Sequence, residues 1–231
     1  MRLTEILNEA PPFTDKQEER FLSSLKKTVD TTDKWPQPGA MTKMVKSASP
    51  KAKKVGSGYY SQAYGRPRSN TVIKVTHGGG GSEVNALKFL RWAKKQKNPH
   101  LPKIYNITKK MLDTRRSYWD DNPDVHVYVR MEKLIPFKPH KYKWKPKHVP
   151  FLEWMDEHGY LYGEPYDFVP GWEELKRKAR QLPLGKLVRT LQSLIKLTDN
   201  DELDISMDSR SAHNIMLRPS TGEIVIHDPI A

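Results

Sequence analysis

Apolar residues recur along this chain at two spacings, and each spacing predicts an element. Residues 1–13 read as a short amphipathic piece that ends at Pro11-Pro12. Thr14 followed by Gln17 has the form of a capping box. It predicts a helix from Asp15 to Val29 with Phe21, Leu22, Leu25 and Val29 on one face. Residues 30–54, rich in Thr, Pro, Ser and Lys, show little periodicity and predict a linker or loosely held loop. Strands follow at Asn70–Val75, Leu101–Tyr105 and Val125–Met131, where β-branched and aromatic residues concentrate. Between the first two, Ser82 caps a helix over Glu83–Lys95 that aligns Val84, Leu87 and Leu90. Three more helices are expected, at Phe151–His158, at Trp172–Gln181 and from Pro183 onward. The last is strongly amphipathic, with Leu184, Leu187, Val188, Leu191, Leu194 and Ile195 at helical spacing. Finally, Ile215–Leu217 and Glu223–His227 flank Pro219-Ser-Thr-Gly222. Proline presets φ and glycine accepts positive φ, so these runs predict a β-hairpin.

The pattern predicts an α+β fold in two lobes: a small antiparallel sheet with one helix, then a mainly helical part ending in the hairpin. The expected division is 1–54 as helical extension and basic linker, 55–134 as the first lobe, and 135–231 as the second.

Composition narrows the classes. The chain has 231 residues, with 36% hydrophobic and 29% charged, and no apolar run of transmembrane length. Its first residues lack the apolar core of a signal peptide. There is no cysteine, which excludes disulfide frameworks and thiolate metal sites and fits a reducing cytoplasm. The net charge of +13 favours phosphate-bearing or acidic partners. Lys43, Lys46, Lys51, Lys53 and Lys54 read as a solvated charge run. Residues 136–150 interleave Lys with aromatics, a pattern able to stack on bases. The preferred reading of that segment is a Pro-stiffened basic linker lying over acidic residues.

Candidate chemistry concentrates in two places. In Val55-Gly56-Ser57-Gly58-Tyr59-Tyr60, glycines one residue apart let backbone amides approach a phosphate. A β-branched strand bearing Lys74 follows, an order unlike a Walker A loop, where the Lys directly follows the glycines and opens a helix. Lys74 is placed to neutralise phosphate charge, and Glu83, the only carboxylate of the next helix, is its candidate ion-pair partner. At the C-terminal end, the hairpin brings Asn214 and Asp228 side by side, two hard oxygen donors suited to magnesium. Asp208 lies upstream as a candidate base.

Gly-Ser-Gly-Tyr-Tyr-Ser-Gln-Ala-Tyr, Val-Ile-Lys, Asn-Ile-Met and the closing Asp-Pro-Ile together resemble the early host-shutoff serine/threonine protein kinases of short-tailed coliphages. The resemblance covers about residues 50–110 and 200–231. It implies an abbreviated protein-kinase-like fold, ATP and magnesium as cofactors, and host transcription or RNA-processing proteins as substrates in the bacterial cytoplasm. In its terms Asp208, Lys74 and Glu83 are catalytic. Gly56, Ser57, Gly58, Tyr60, Lys74, Met131, Glu132 and Leu134 bind the nucleotide, and Asn214 and Asp228 bind the metal. The chain departs from the kinase pattern in three ways. Five residues rather than four separate Asp208 from Asn214, Ser61 replaces the third glycine, and the sequence stops three residues after Asp228. Two alternatives fit the same residues: a degenerate kinase that binds a host protein or nucleic acid through its basic surface, and a small-molecule phosphotransferase. The latter needs an acidic pocket, against which the basic middle region argues.

Overall fold

The computed structural model describes residues 16, 17, 19–21, 23, 24, 38–57, 61–76, 82–111, 125–136, 144–158, 172–198 and 214–227. The chain divides into two compact units. One comprises Met1–Leu87 with Ile104–Lys133, the other Lys88–Lys103 with Leu134–Ala231. The expected α+β architecture is the one observed, with an antiparallel five-stranded sheet, several helices and a C-terminal hairpin.

The first unit is built on strands β1 (Lys53–Ser57), β2 (Ser61–Gly65), β3 (Thr71–Thr76), β4 (Ile104–Met111) and β5 (Val125–Glu132). They lie in the order β1-β2-β3-β5-β4, all neighbours antiparallel. Strand β3 is central, and all six of its residues are buried. That explains its near-continuous β-branched sequence, because a strand covered on both faces has no polar alternation to show. The strand expected at Leu101–Tyr105 begins three residues later, at Ile104, and runs on to Met111. Leu101 is buried in a connecting loop instead.

Two helices cover one face of this sheet. The described residues of α1, within 16–24, are helical, as the capping box predicts. Phe21 is fully buried in a cluster with Val45, Ala48, Ala52, Tyr64, Ile73, Val75 and Tyr128. Its ring meets Tyr128 edge-on at 6.2 Å. The second helix corrects the reading of residues 30–54 as a linker: α2 spans Pro38–Ala48, and Lys53 and Lys54 already belong to β1. Proline opens α2 where its missing N–H costs nothing. Val45 and Ala48 are buried at i, i+3, with Met44 packed beside them. Three small or flexible apolar residues among lysines make a stripe too weak to stand out in sequence, but the sheet supplies a surface for it.

The second unit contains α4 (Val149–Glu157), α5 (Trp172–Gln181), α6 (Gly185–Thr198) and a three-stranded sheet of β6 (Ile135–Pro136), β7 (Ile215–Arg218) and β8 (Glu223–Ile226) in that order. The α3 helix, Ser82–Lys95, begins in the first unit and ends in the second. Leu184, Leu187, Leu191 and Leu194 of the amphipathic segment are buried, as their spacing predicts. The hairpin turns at Gly222, whose φ of 66° explains the glycine. Residues 144–148, expected as part of a basic linker lying over acidic residues, do meet an acidic residue, but they form ordered structure rather than a linker. His148 is fully buried within a short 3-10 turn, and Lys145 bonds Glu223 at 2.9 Å.

Candidate functional site

The two groups of candidate residues fall in different units. In the first, the sheet face opposite the helices carries Lys74. Register places Gly56 beside Ala63, Ala63 beside Lys74, Lys74 beside Val129 and Val129 beside Ile107. Directly paired residues share a face, so these five form one row across the sheet. A Cβ on Gly56 would lie 3.7 Å from that of Ala63, which puts the open side of Gly56 on this row. The row grades from exposed Gly56 through half-buried Ala63 to Lys74, only 6% exposed. Beside it runs a second row, Gly65, Val72 and Met131. A Cβ on Gly65 would meet Val72 at 3.3 Å and Val55 at 3.5 Å, so Val55 and Val72 close over the glycine. Val55 sits at a register shift in β1 and is 46% exposed.

Together the two rows make an apolar floor of Val55, Ala63, Val72, Val129 and Met131 with one cation set into it, and Val72, Lys74, Val129 and Met131 are all buried. An ammonium buried in the middle of a sheet is costly unless something anionic or hydrogen-bonding faces it. Sequence reading singled out Gly56, Lys74 and Met131 but missed Val55, Ala63 and Val72. Val72 was within reach, because it lies two residues from Lys74 and so on the same face. Ala63 and Val55 follow only from strand register.

Other expected residues of this unit are placed as follows. Ser57 ends β1 and Glu83 is the second residue of α3, but their side chains lie outside the described structure, as do Gly58 and Tyr60 entirely. Glu132 is buried at the end of β5, paired with Thr71, and the Lys133 amide donates to the Asn70 carbonyl at 2.6 Å. Half-buried Leu134 follows, where the chain passes into the second unit's C-terminal stretch.

In the second unit the hairpin carries Asn214. Its side chain is buried, and its carbonyl accepts from the His227 amide at 2.6 Å. With Ile215 opposite Ile226, residues 214 and 227 face each other at the open end of the hairpin. Asp208 and Asp228 lie outside the described residues. An amide oxygen and a carboxylate are hard donors of the kind magnesium takes. Among the described residues no cluster of three His, Cys, Asp or Glu side chains is arranged to hold a metal.

The hairpin is clamped by the loop that follows α3. Arg218, 2% exposed, donates to the carbonyls of Pro99 and Leu101, the latter at 2.8 Å, and to Glu223 at 3.3 Å. His100 accepts from the Ile226 amide through its carbonyl at 2.9 Å, and its Nδ1 lies 2.9 Å from the Ile224 carbonyl. The loop thus acts as a short extra edge on β8. Asn98 holds the loop in turn, donating to Thr190 Oγ1 of α6 at 2.7 Å and accepting from the His100 amide at 2.9 Å. Burial alone would raise the Glu223 pKa. Hydrogen bonds from Lys145 and Thr221, and the charges of Lys145 and Arg218, outweigh it and hold the carboxyl below its ordinary range. The His148 ring lies edge-on to His100 at 5.8 Å. Burial first, then His100, push its pKa down to about 4. Burial likewise lowers His100, against the pull of its bond to Ile224.

No helix among the described residues is long and apolar enough to cross a membrane. No protein-family model matches the chain, and no curated protein does.

Proposed function

We propose that the chain is an ATP-dependent serine/threonine protein kinase of a phage, acting on host proteins of the transcription or RNA-processing machinery in the bacterial cytoplasm. The observation that carries this reading is the row Gly56–Ala63–Lys74–Val129: a buried lysine on the central strand, next to the glycine-bearing hairpin and inside an apolar floor. A glycine loop over the phosphates, a Lys on the third strand and a Glu on the following helix are the parts with which protein kinases hold ATP.

Each residue then has a definite task. Met131, Val72 and Val55 pack the adenine, and the backbone at Glu132–Leu134 supplies polar groups to its edge. Gly56 and Gly58, with Ser57 and Tyr60, cover the phosphates. Lys74 neutralises their charge, and Glu83 orients Lys74. Asp208 accepts the proton of the substrate hydroxyl as its oxygen bonds the γ-phosphorus, while the bond from that phosphorus to the β–γ bridging oxygen breaks and ADP leaves. Magnesium, held by Asn214 and Asp228, would supply charge neutralisation on the phosphates. Catalysis on this scheme is mostly positioning and charge stabilisation.

The test is incubation of the purified protein with γ-labelled ATP, magnesium and bacterial lysate. Label on protein Ser or Thr, lost in Lys74→Met, is the expected result. Magnesium-ATP binding without transfer to any lysate protein or to the chain itself would replace the kinase by the degenerate binder. Absence of ATP binding in the folded protein would remove both.

A further inference from the structure

Between Leu175 and Thr198 the chain contains no Asp or Glu, yet Lys and Arg recur throughout. The structure divides these cations into two groups. Those early in α5 are engaged: Lys176 with Glu173, Arg177 with Glu174 at 3.0 Å, and Lys178 over the Trp154 ring at 5.7 Å. Arg180 at the end of α5 and Lys186, Arg189 and Lys196 of α6 are exposed, and none pairs with a carboxylate among the described residues.

The three α6 cations are aligned. Lys186, Arg189, Ser193 and Lys196 stand at i, i+3, i+7 and i+10, one face of a helix. The opposite face is the buried one, with Leu187, Thr190, Leu191 and Leu194. Exposed Gln192 and Ser193 fill the space between the cations, and the Ser193 hydroxyl is turned back onto the Arg189 carbonyl at 2.9 Å. The stripe holds no apolar residue.

From this face we infer a docking surface for the sugar-phosphate backbone of a nucleic acid. Protein partners are typically anchored by aromatic or aliphatic side chains at a desolvated centre, and charges are depleted there. This stripe offers no such anchor. Phosphate backbones are instead held by Lys and Arg, with Ser and Gln as neutral donors. Lys186 to Lys196 spans about 15 Å at 1.5 Å per residue. Consecutive phosphates of one strand lie about 7 Å apart, so that length matches about three of them, one for each cation of the stripe. The stripe reads no bases, so binding is sequence-independent. It lies apart in sequence from the 136–150 segment.

The experiment measures affinity of the full chain for a 24-base-pair DNA duplex and its RNA counterpart from 50 to 300 mM salt, with polyglutamate as competitor. The variant replaces Arg180, Lys186, Arg189 and Lys196 by Gln. A control replaces Lys43, Lys46, Lys51 and Lys53, equally exposed in the first unit. Each lost phosphate contact lowers the slope of log K against log salt by about 0.9, so the variant should lose about 3 to 4 from the slope and bind roughly tenfold or more weaker. The control should keep the parental slope. Binding to DNA alone or RNA alone, with that slope change, identifies the source of the phosphate and supports the surface. Equal slope losses in variant and control, or no loss in either, would overturn it. Competition by polyglutamate as effective as by duplex, charge for charge, would overturn it in favour of an acidic protein. Should the fourfold variant melt early, Lys186→Gln with Arg189→Gln should still remove about half the slope change, and no change there would overturn the surface equally.

Discussion

Acid should destabilise this protein through one buried ring. His148 is fully buried against His100, with the charges of Lys145 and Lys147 nearby and only the Gly222 backbone pulling the other way. Its pKa is about 4 in the folded protein against 6.5 in the unfolded chain. Between those values the unfolded chain binds a proton that the folded protein refuses. The stability is therefore complete above pH 6.5 and falls as pH drops toward 4. One pH step in that window is worth about 1.4 kcal/mol, so going from pH 7.5 to 5.0 should cost about 2 kcal/mol through this group. His100 is shifted in the same direction and adds to the loss. Glu223, held low, contributes only below its ordinary value of 4.5. The assay is urea denaturation at pH 7.5 and 5.0 of the parent and of His148→Phe, which keeps a ring and removes the titration. The variant should lose about 2 kcal/mol less than the parent over that interval. If both lose the same amount, the ring is accessible to protons in the folded state and the reasoning fails.

Arg218→Met should destabilise the protein by about 3–5 kcal/mol in the same denaturation assay, since it strips two carbonyls and Glu223 of a buried cation. Arg218→Lys should fall between the parent and Met, because an ammonium cannot span both carbonyls as a guanidinium does. Lys74→Met should abolish the thermal shift given by magnesium-ATP, which in the parent follows mass action at about 2.7 kcal/mol for a hundredfold excess over Kd. Asp208→Asn should keep nucleotide binding and cut phosphate transfer by roughly 10²–10⁴-fold, whereas Asp228→Asn should weaken magnesium-ATP binding itself. Binding titration and transfer rates on both variants separate the two; untouched transfer in Asp208→Asn would place the base elsewhere.

Sequence alone determined the elements whose residues carry their own punctuation. The amphipathic α6, the hairpin turning at Gly222 and the β-branched strand around Lys74 were legible because periodicity and turn chemistry act over a few residues. What only the tertiary structure decided depends on distant partners. Helix α2 has too weak an apolar stripe to be seen until a sheet face is there to cover it. Lys145 and His148 read as part of a basic linker lying over acidic residues, but which residues hold them, Glu223 and His100, far along the chain in both directions, only the fold decides. Likewise Ala63 and Val55 join Lys74 only through strand register, which no local pattern specifies when β3 is apolar on both faces. Nothing in the local sequence pattern marks Arg218. It is a buried clamp because its acceptors are the backbone carbonyls of Pro99 and Leu101, and carbonyls leave no mark on sequence composition.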